Sequence, residues 1–369
     1  MKIVIIGAGV AGLAIGWRLL QSGAEVTILE RAQAGHGATW AAAGMIAATA
    51  ELGEMQTPEA ELGHRARGLW PDFAHAIEDA SGLAIGYAQS GSLLVATTAE
   101  DAAGFAVRAA HDPDLAMLTE AEARAREPRL RDGIAGALWA SQEARVDNRA
   151  LGRALAAAFV RAGGTLVTNE AVIRVETMAG RAVAARTPFG HYEADAFVLA
   201  AGAWSGLVEG MPPVPIKPMK GEMLALSPPD GAALPRQMVW GNQVYLVPRG
   251  GQLLIGATLE DTGFDTSLTE AAADWLSSRA LALMPVLRDW TIAEHWAGLR
   301  PASPDGLPLL GPSTIERLFI AGGQYRNGIL FAPAVAEILC GLVLERPTDI
   351  RAFDPRRFAG SLAPSAALR

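Results

Sequence analysis

A glycine-rich turn between an apolar strand and a helix constrains the fold of this chain more than any other feature. Residues 2–6 form a short β-branched run, residues 13–20 have the pattern of a helix, and residues 24–30 form a second strand. The turn between the first strand and the helix contains Gly7, Gly9 and Gly12. Together these segments form a strand, helix and strand of about 30 residues, which is the size of a βαβ unit.

The GxGxxG spacing at residues 7–12 is that of a dinucleotide-binding turn. The first glycine permits the tight turn, the second lets the backbone approach a pyrophosphate, and the third lets helix and strand pack closely. Glu30 follows Gly12 by 18 residues, where a carboxylate accepts hydrogen bonds from both ribose hydroxyls and disfavours a 2′-phosphate. A glycine-rich turn in an ordinary α/β protein is the alternative. FAD is favoured over NAD because there is no second GxGxxG and because residues 197–204 repeat a buried strand ending in Ala-Ala-Gly-Ala.

Composition and charge exclude several classes of protein. Of the 369 residues, 50% are hydrophobic and 19% are charged, which is typical of a globular protein with two or three domains. The formal net charge of -8 argues against a nucleic-acid surface, which needs clustered positive charge. The single cysteine, Cys340, excludes an intramolecular disulfide and thiolate metal sites, and the histidines show no metal-ligand spacing. The apolar run 331–344 is too short to span a bilayer, so we expect a cytoplasmic protein with no membrane or nucleic-acid partner and no metal.

Segments with the character of a parallel sheet lie near the start, the middle and the end of the chain. Strands are predicted at 91–97, 165–168, 197–201, 244–247, 253–256, 291–299 and 318–321, with a β-meander at 172–197. Helices are predicted at 59–80, 149–162, 270–284 and 333–344, and also over 100–131 with a break at Asp112-Pro113. Residues 38–50 have too few bulky side chains for a core strand, and the prolines of 212–235 disfavour a helix.

This order of elements predicts an α/β fold made of two parts. The first is a discontinuous Rossmann-type FAD-binding domain comprising residues 1–80, 145–210 and 300–369. The second is an α+β substrate-binding domain, comprising residues 81–144 and 211–299 and built on an antiparallel sheet.

Further segments extend this interpretation to a known family. They are ATWAAAGMIAA at 38–48, AAGAWSG at 200–206, PMKGEMLAL at 218–226, VYLVPR at 244–249, HWAGLRPASPDGLPLLG at 295–311 and LFIAGGQYRNGILFAPA at 318–334. With the glycine-rich turn, they make residues 2–358 similar to the glycine oxidases, which are flavoenzymes of the D-amino-acid oxidase family. The last two segments are the most specific, since few groups of flavoproteins share both.

The resemblance implies a non-covalently bound FAD. Positions that match the family's cofactor-binding residues are Gly7, Gly9, Val10, Ala11, Gly12, Glu30 and Arg31 at the ADP half, Thr39, Ala42, Ala43, Gly44 and Met45 in the loop beside the pyrophosphate and flavin, Val172 at the adenine, Gly202 and Trp204 in the second FAD segment, and Gly323, Arg326, Asn327, Gly328 and Ile329 in the loop over the isoalloxazine. Cys340 lies outside all of these segments, so we expect no covalent attachment.

The resemblance also assigns substrate-binding side chains. Arg300 matches the arginine that binds the substrate carboxylate through two hydrogen bonds. Tyr245 matches the tyrosine that adds a hydroxyl donor, and Arg326 matches a second arginine near the pocket mouth. From the residues alone, an arginine before a proline is more often in a surface ion pair and a tyrosine in a strand more often in a core. The proposed pocket walls are Met45, Ala47, Gln243 and Leu259. No clear histidine or carboxylate candidate for an enzyme base stands out in the pocket motifs, which suits a hydride transfer from a neutral amine that needs no such base.

The implied reaction is the oxidative deamination of glycine and other small amines or D-amino acids. Hydride passes from the substrate α-carbon to the flavin, the imine hydrolyses to a 2-oxo acid and ammonia, and oxygen is reduced to hydrogen peroxide. In the family, the glycine imine serves the thiazole of thiamine. Gln243 and Gln324 stand where the family pattern has histidine, which leaves the substrate preference open.

Two other functions remain open from the sequence. A D-amino-acid dehydrogenase would pass its electrons to a membrane quinone, and a basic or hydrophobic docking stretch would favour it, but none is visible. A non-catalytic flavin-binding protein or an RNA-modification module is disfavoured by the net charge and by Arg300 and Tyr245. The sequence also leaves open a homo-oligomer.

Overall fold

The structure is a computed structural model that describes residues 1–53 and 57–359. Its strands, in chain order, are β1 (Lys2–Ile6), β2 (Glu25–Leu29), β3 (Met45–Ile46), β4 (Ser92–Ala96), β5 (Leu115–Leu118), β6 (Gly136–Ala140), β7 (Ala144–Arg145), β8 (Thr165–Val167), β9 (Arg174–Met178), β10 (Arg181–Arg186), β11 (His191–Glu193), β12 (Ala196–Leu199), β13 (Lys217–Ser227), β14 (Met238–Gly241), β15 (Val244–Arg249), β16 (Gln252–Gly256), β17 (Thr291–Ala302), β18 (Leu309–Pro312) and β19 (Leu318–Gly322). Its helices are α1 (Val10–Gln21), α2 (Ala38–Ala41), α3 (Ala48–Leu52), α4 (Pro58–Ser81), α5 (Ala99–His111), α6 (Glu120–Arg126), α7 (Asn148–Arg161), α8 (Glu270–Leu283) and α9 (Gly328–Val343).

The first large sheet has six strands in the order β18-β19-β12-β1-β2-β8. Its neighbouring strands are parallel, except that β18 and β19 are antiparallel. In the interior strand β1, Ile3, Val4 and Ile5 are fully buried, because helices α1, α4, α7 and α9 cover one face and strands β9 and β10 pack near the other. Such a continuous apolar run is typical of a parallel strand buried on both faces. The Rossmann-type fold predicted from the glycine-rich turn is confirmed.

The second large sheet has eight strands in the order β17-β13-β16-β15-β14-β4-β6-β5. It is antiparallel apart from the parallel pair β14 and β4. Its longest ladder joins β13 and β17, where Gly221 faces Gly298. One face packs against α8, and the other carries Met223, Tyr245 and Trp296 toward the alanines of α2 and the loop after it. The second sheet therefore presents these three side chains to the part of the chain that follows β2.

Two segments differ from the prediction made from sequence, and a third, in which a helix is correctly disfavoured, contains a strand that is not predicted. Residues 100–131 are not helical throughout, since β5 separates α5 from α6. Leu115 and Leu118 are buried in β5, and pairing with β6 stabilises this strand against the helical preference of the residues around it. Residues 212–235 contain the 11-residue strand β13. Helix α9 begins at Gly328 and not at residue 333, so that Pro333 lies inside it.

The small-residue segment 38–50 forms the short helices α2 and α3 around the two-residue strand β3. It contributes no core strand to either large sheet, as its composition predicts. The domain boundaries stay a prediction, and residues 360–369 of the predicted range 300–369 lie outside the described residues. Within residues 1–53 and 57–359, no helix is long and apolar enough to cross a membrane.

Candidate active site

A cavity of about 590 Å³ lies between the two large sheets. The glycine turn after β1 and the ends of β2 and β12 line one end of it, and β13, β15 and β17 line the other. Segments 36–47 and 321–329 line it as well. Residues that are far apart in the sequence and that the family resemblance groups together therefore share one space.

The glycine turn supplies backbone amides to one end of the cavity. Gly7 has a φ of +107°, and its N–H donates to the carbonyl of Leu29 at 2.8 Å. Gly12 does not line the cavity, because it packs so closely that a Cβ there would collide with the carbonyl oxygen of Gly7. Val10 and Ala11, which do line it, begin helix α1, whose first turn carries no acidic residue. The Val10 amide donates to Thr39 Oγ1, whereas the Ala11 amide has no acceptor within the helix, so this end can hold a pyrophosphate.

Glu30 lies at the end of β2 with its carboxylate fixed by two backbone amides. Its Oε2 accepts a hydrogen bond from the Ala8 N–H at 2.8 Å, and its Oε1 accepts one from the Ala32 N–H at 2.9 Å. A carboxylate has about four acceptor positions, so two amide bonds leave capacity for hydroxyl donors. Glu30 lines the cavity and is therefore placed to bind the hydroxyls of a ribose.

Next to Glu30, an aromatic stack borders the same end of the cavity. The Arg31 guanidinium carbon lies 3.5 Å from the centroid of the Trp204 ring. The centroid of the Phe264 ring, on the loop between β16 and α8, lies 5.7 Å from the centroid of the Trp204 ring. Val172 and Gly202 line the cavity nearby, and there is open space where a Cβ of Gly202 would lie. These groups can enclose the adenine half of a dinucleotide.

The loop between β2 and β3 is tied to α1 and to the second sheet. Thr39 Oγ1 accepts a hydrogen bond from the Val10 N–H at 2.9 Å, and Asn148 Nδ2 donates to the Thr39 carbonyl at 2.7 Å. Asn148 Oδ1 in turn accepts from Arg249 Nη1 at 2.7 Å. Burial, aided by the charge of Arg149, lowers the pKa of Arg249 to about 10, so the guanidinium remains charged at neutral pH. The chain of contacts positions the cavity-lining residues Ala42, Ala43, Gly44 and Met45.

At the other end of the cavity, two glycines make room for Arg300 and Tyr245. A Cβ on Gly221 would collide with the Arg300 guanidinium, and one on Gly256 would collide with the Tyr245 ring. Arg300 Nη1 donates to the carbonyls of Thr258 at 3.1 Å and Lys220 at 3.3 Å. Burial raises the pKa of Tyr245, and the nearby arginine charges oppose this only in part. Tyr245 therefore offers a neutral hydroxyl donor at physiological pH.

A buried ionic cluster supports the carbonyl that holds Arg300. Lys220 Nζ lies 2.8 Å from Glu222 Oε1 and 3.2 Å from Glu260 Oε2. His295 Nε2 lies 2.7 Å from Glu222 Oε2. Lys220 and Glu222 alternate with Gly221 along β13, so their side chains lie on the opposite face from the cavity. The cluster fixes the backbone behind the guanidinium.

Glu51 lines the cavity although no sequence motif marks it. It lies on α3, and its carboxylate holds Arg326 by two contacts, from Nε to Oε2 and from Nη2 to Oε1, each 3.2 Å long. Although burial disfavours the charge of Arg326, Glu51 raises the pKa of this guanidinium above its ordinary value. Glu51 lies outside the segments that carry the family resemblance, in which no carboxylate stands out as a candidate enzyme base. The position of Glu51, four residues after Ala47, was the only signal in the sequence.

The segment 321–329 brings further polar groups to the cavity. Gln324 is 5% exposed, and its Nε2 has no hydrogen-bond partner among the described residues although it lines the cavity. Asn327 Nδ2 donates to Glu59 Oε1 at 3.3 Å, and Asn327, Gly328 and Ile329 all line the cavity. Gly323 does not, because with a φ of +65° it packs against Ser303.

Two of the four predicted wall residues do not line the cavity. Gln243 is exposed because it lies in the two-residue turn between β14 and β15, where both turn residues have a positive φ. Leu259 is 53% exposed in the loop that follows β16. Met45 and Ala47 do line the cavity, as does Met223. These three side chains are therefore the walls beside Tyr245.

The donors and acceptors of the cavity fit FAD. Backbone amides suit the pyrophosphate, Glu30 suits the ribose, and the unpaired Gln324 amide suits an acceptor deeper in the cavity. A family model described as FAD dependent oxidoreductase matches residues 2–342. The chain belongs to this family. FAD is accordingly its cofactor, as the glycine-rich turn predicts.

Similar proteins agree with this family. The chain is 38% identical over 357 residues to the bifunctional protein ThiO/ThiG of Nostoc sp.. The aligned region covers 94% of this chain and 53% of that protein. It is 34% identical over 372 residues to the glycine oxidase of Geobacillus kaustophilus, covering 98% of both. The crystal structure of glycine oxidase from Geobacillus kaustophilus has a TM-score of 0.91 at 32% identity and covers 96% of this chain and 99% of that chain. The chain thus spans about half the length of its ThiO/ThiG relative.

Proposed function

We propose that this family member oxidises small amino acids and amines, with glycine, sarcosine and small D-amino acids as its substrates. The observation that supports this most strongly is that Arg300 and Tyr245 lie in the same cavity as the dinucleotide-binding groups. FAD, when bound, supplies the oxidising group by accepting the hydride of the substrate α-carbon. The proposed products are an imine, which hydrolyses to a 2-oxo acid and ammonia, and hydrogen peroxide.

In this proposal Arg300 binds the substrate carboxylate. Two carbonyls accept hydrogen bonds from its Nη1, so the other guanidinium nitrogens are available to donate to the two oxygens of a carboxylate. Tyr245 adds a hydroxyl donor, and Met45, Ala47 and Met223 limit the size of the group on the α-carbon. A carboxylate held at two points orients the α-carbon, which reduces the entropic part of the barrier.

The comparisons and the position of the cysteine support the finer points. Likeness to proteins named glycine oxidase supports glycine as a substrate, and likeness to ThiO/ThiG supports a role in supplying the imine for the thiazole of thiamine. Cys340 is buried beside α1, with its Sγ 3.6 Å from Ser22 Oγ, and does not line the cavity. This position supports a non-covalent FAD.

The test uses the purified protein with its bound FAD. Acid precipitation should release the flavin into the supernatant. Under anaerobic stopped-flow conditions, glycine, sarcosine and D-alanine should bleach the flavin absorbance, bulky D-amino acids should do so slowly, and L-amino acids should not. Oxygen should then restore the colour with release of peroxide. Reoxidation that is fast with a quinone and slow with oxygen would identify a dehydrogenase instead, and fastest reduction by an L-amino acid would refute the proposal.

Substitution of Arg300 tests the residue at the centre of the proposal. Arg300→Ala should retain FAD but lose roughly a hundredfold in kcat/KM for glycine, since hydrogen bonds to charged groups contribute about 1.5–3 kcal/mol each. The control is Arg153→Ala on the exposed face of α7, which should behave like the parent. Unchanged turnover of glycine by Arg300→Ala would contradict the assignment and make Arg326 the carboxylate anchor.

A further inference from the structure

The substrate end of the cavity has two positively charged side chains but one carboxylate. Arg300 and Arg326 are both cations of the cavity lining, and Glu51 is the carboxylate that lines it beside them. The carboxylate of Glu51 pairs with the Arg326 guanidinium through two contacts of 3.2 Å each. The Nη1 of Arg300 instead donates to the main-chain carbonyls of Lys220 and Thr258. The substrate end of the cavity thus offers two guanidinium groups, of which only that of Arg300 lacks a carboxylate partner among the described residues.

Hydrogen bonds to the residues just before Glu51 fix the position of helix α3, which carries it. The Ala50 N–H donates to Glu143 Oε1 at 2.7 Å, and the carbonyl of Thr49 accepts from Arg108 Nη2 at 2.6 Å. Thr49 Oγ1 also accepts from Arg67 Nη1 at 3.1 Å. The Glu51 side chain is 10% exposed, against 41% for Arg326. A carboxylate held this firmly competes with any anion of the substrate for the same guanidinium.

We infer that Glu51 determines specificity by limiting the substrate to amines that carry a single carboxylate. A second carboxylate near Arg326 would have to displace Glu51 or lie beside it as a like charge, and both are unfavourable in a partly dry site. When a neutral side chain replaces Glu51, the Arg326 guanidinium can donate two hydrogen bonds to an anionic group of the substrate. This inference rests on the proposed function, because it takes Arg300 as the anchor of the first carboxylate.

The test compares the parent and Glu51→Gln with two matched pairs of ligands. The oxidisable pair is sarcosine and iminodiacetate, which differ by one carboxylate on the N-substituent. The non-oxidisable pair is methoxyacetate and oxydiacetate, which have an ether oxygen in place of the nitrogen. We expect Glu51→Gln to raise the preference for the dicarboxylate by at least about tenfold in each pair, because one charge-assisted contact is gained. Anaerobic flavin reduction measures the first pair, and perturbation of the flavin absorbance measures binding of the second.

Two further variants distinguish loss of the Glu51–Arg326 ion pair from the mere loss of one negative charge near the cavity. Glu59→Gln removes a neighbouring carboxylate that bonds to Asn327 and not to Arg326, so it should leave the preference unchanged. Arg326→Met, added to Glu51→Gln, should abolish the gain. The inference is overturned if Glu51→Gln binds oxydiacetate no better than the parent, or if the gain survives Arg326→Met. Failure of the parent to oxidise glycine and sarcosine would overturn the proposed function instead, while the ether pair would still decide the role of Glu51.

Discussion

Glu143 is a buried carboxyl group that supports the cavity without lining it. It lies in the turn between β6 and β7, is 0% exposed, and its Oε1 accepts from the Ala50 N–H at 2.7 Å. Burial raises the pKa of Glu143 to about 7, against the opposing effects of Ser92, the Ala50 amide and the charge of Arg67. The proton on this group is therefore gained or lost near neutral pH, next to the helix that carries Glu51.

The raised pKa predicts a defined dependence of stability on pH. Between pH 4.5 and about 7 the folded state holds a proton on Glu143 that the unfolded state has lost, so the free energy of unfolding falls as pH rises through this window and levels off above it. Glu143→Gln keeps an acceptor for Ala50 but cannot ionise. Relative to the parent, the variant should therefore gain on the order of 2–3 kcal/mol between pH 5 and pH 8.

Thermal unfolding of both proteins at pH 5 and pH 8 measures this gain. Glu122→Gln is the control, because capping bonds from Thr119 lower the pKa of Glu122, which is ionised in the folded protein at both pH values. Its difference from the parent should stay constant over this range. An equal difference between Glu143→Gln and the parent at the two pH values would show that Glu143 does not titrate there.

Single residues differ in how far sequence could predict them. Gly7, Gly12 and Glu30 belong to one local unit, so their spacing alone predicts where they lie. Arg300 and Tyr245 come from different strands of the second sheet, and only the family resemblance brings them together. Glu51 carries no motif, because its role depends on Arg326, which lies on a distant segment. Gln243 was misplaced because a positive φ in its turn sends the side chain to solvent.

At the scale of elements, close packing of helix α1 against the glycine turn and the first sheet positions the start of this helix at the cavity. Gly12 lies in the first turn of α1 against the carbonyl oxygen of Gly7, with no room for a Cβ. Gly16, one turn later, would place a Cβ 2.9 Å from Ile28 Cδ1 and 3.0 Å from Phe159 Cε2. Small residues on this face therefore let the helix approach the sheet closely enough to present its first amides to the cavity.

A pair of identical substitutions tests this contact. Gly12→Ala should push α1 away from the turn, lower the melting temperature and reduce the FAD content of the purified protein. Gly68→Ala is the matched control, since Gly68 lies in α4 with nothing within 4 Å of its would-be Cβ. That change should stabilise the protein by up to about 1 kcal/mol through helix propensity. Normal FAD content in Gly12→Ala would contradict the close-packing role.

Elements with a local signal were predicted correctly, and those that depend on a distant partner were not. The helix at 59–80 is α4, and its length and amphipathic pattern suffice to define it. The composition around β5 predicts a helix, whereas pairing with β6 decides the structure. Strand β13 lies among prolines that hide it, and its long ladder with β17 forms only once residues 291–302 are in place.

At the scale of the whole molecule, the cavity joins the two large sheets. Its lining comes from the glycine turn and β12 on one side and from β13, β15 and β17 on the other. A ligand that spans this cavity contacts both sheets at once, so its binding energy adds to the stability of the folded chain.

Thermal unfolding with different ligands tests this coupling. At a free concentration about 100 times its Kd, FAD should stabilise the apoprotein by about 2.7 kcal/mol. Riboflavin lacks the groups that bind the amides of α1 and Glu30, so it should stabilise less at the same concentration. ADP alone should give an intermediate shift by binding that end. If riboflavin matched FAD, the glycine turn would not be the main binding element.

The strand order of the six-stranded sheet also matters while the chain is being made on the ribosome. Strands β1 and β2 emerge early, yet β12, which pairs with β1, follows only in the second half of the chain, and β19 follows later still. Until then β1 has an unpaired apolar edge, which makes the nascent chain dependent on protection from aggregation. Arg326 and Asn327 arrive later still. The lining of the cavity can therefore be complete only after nearly all of the described chain has been translated.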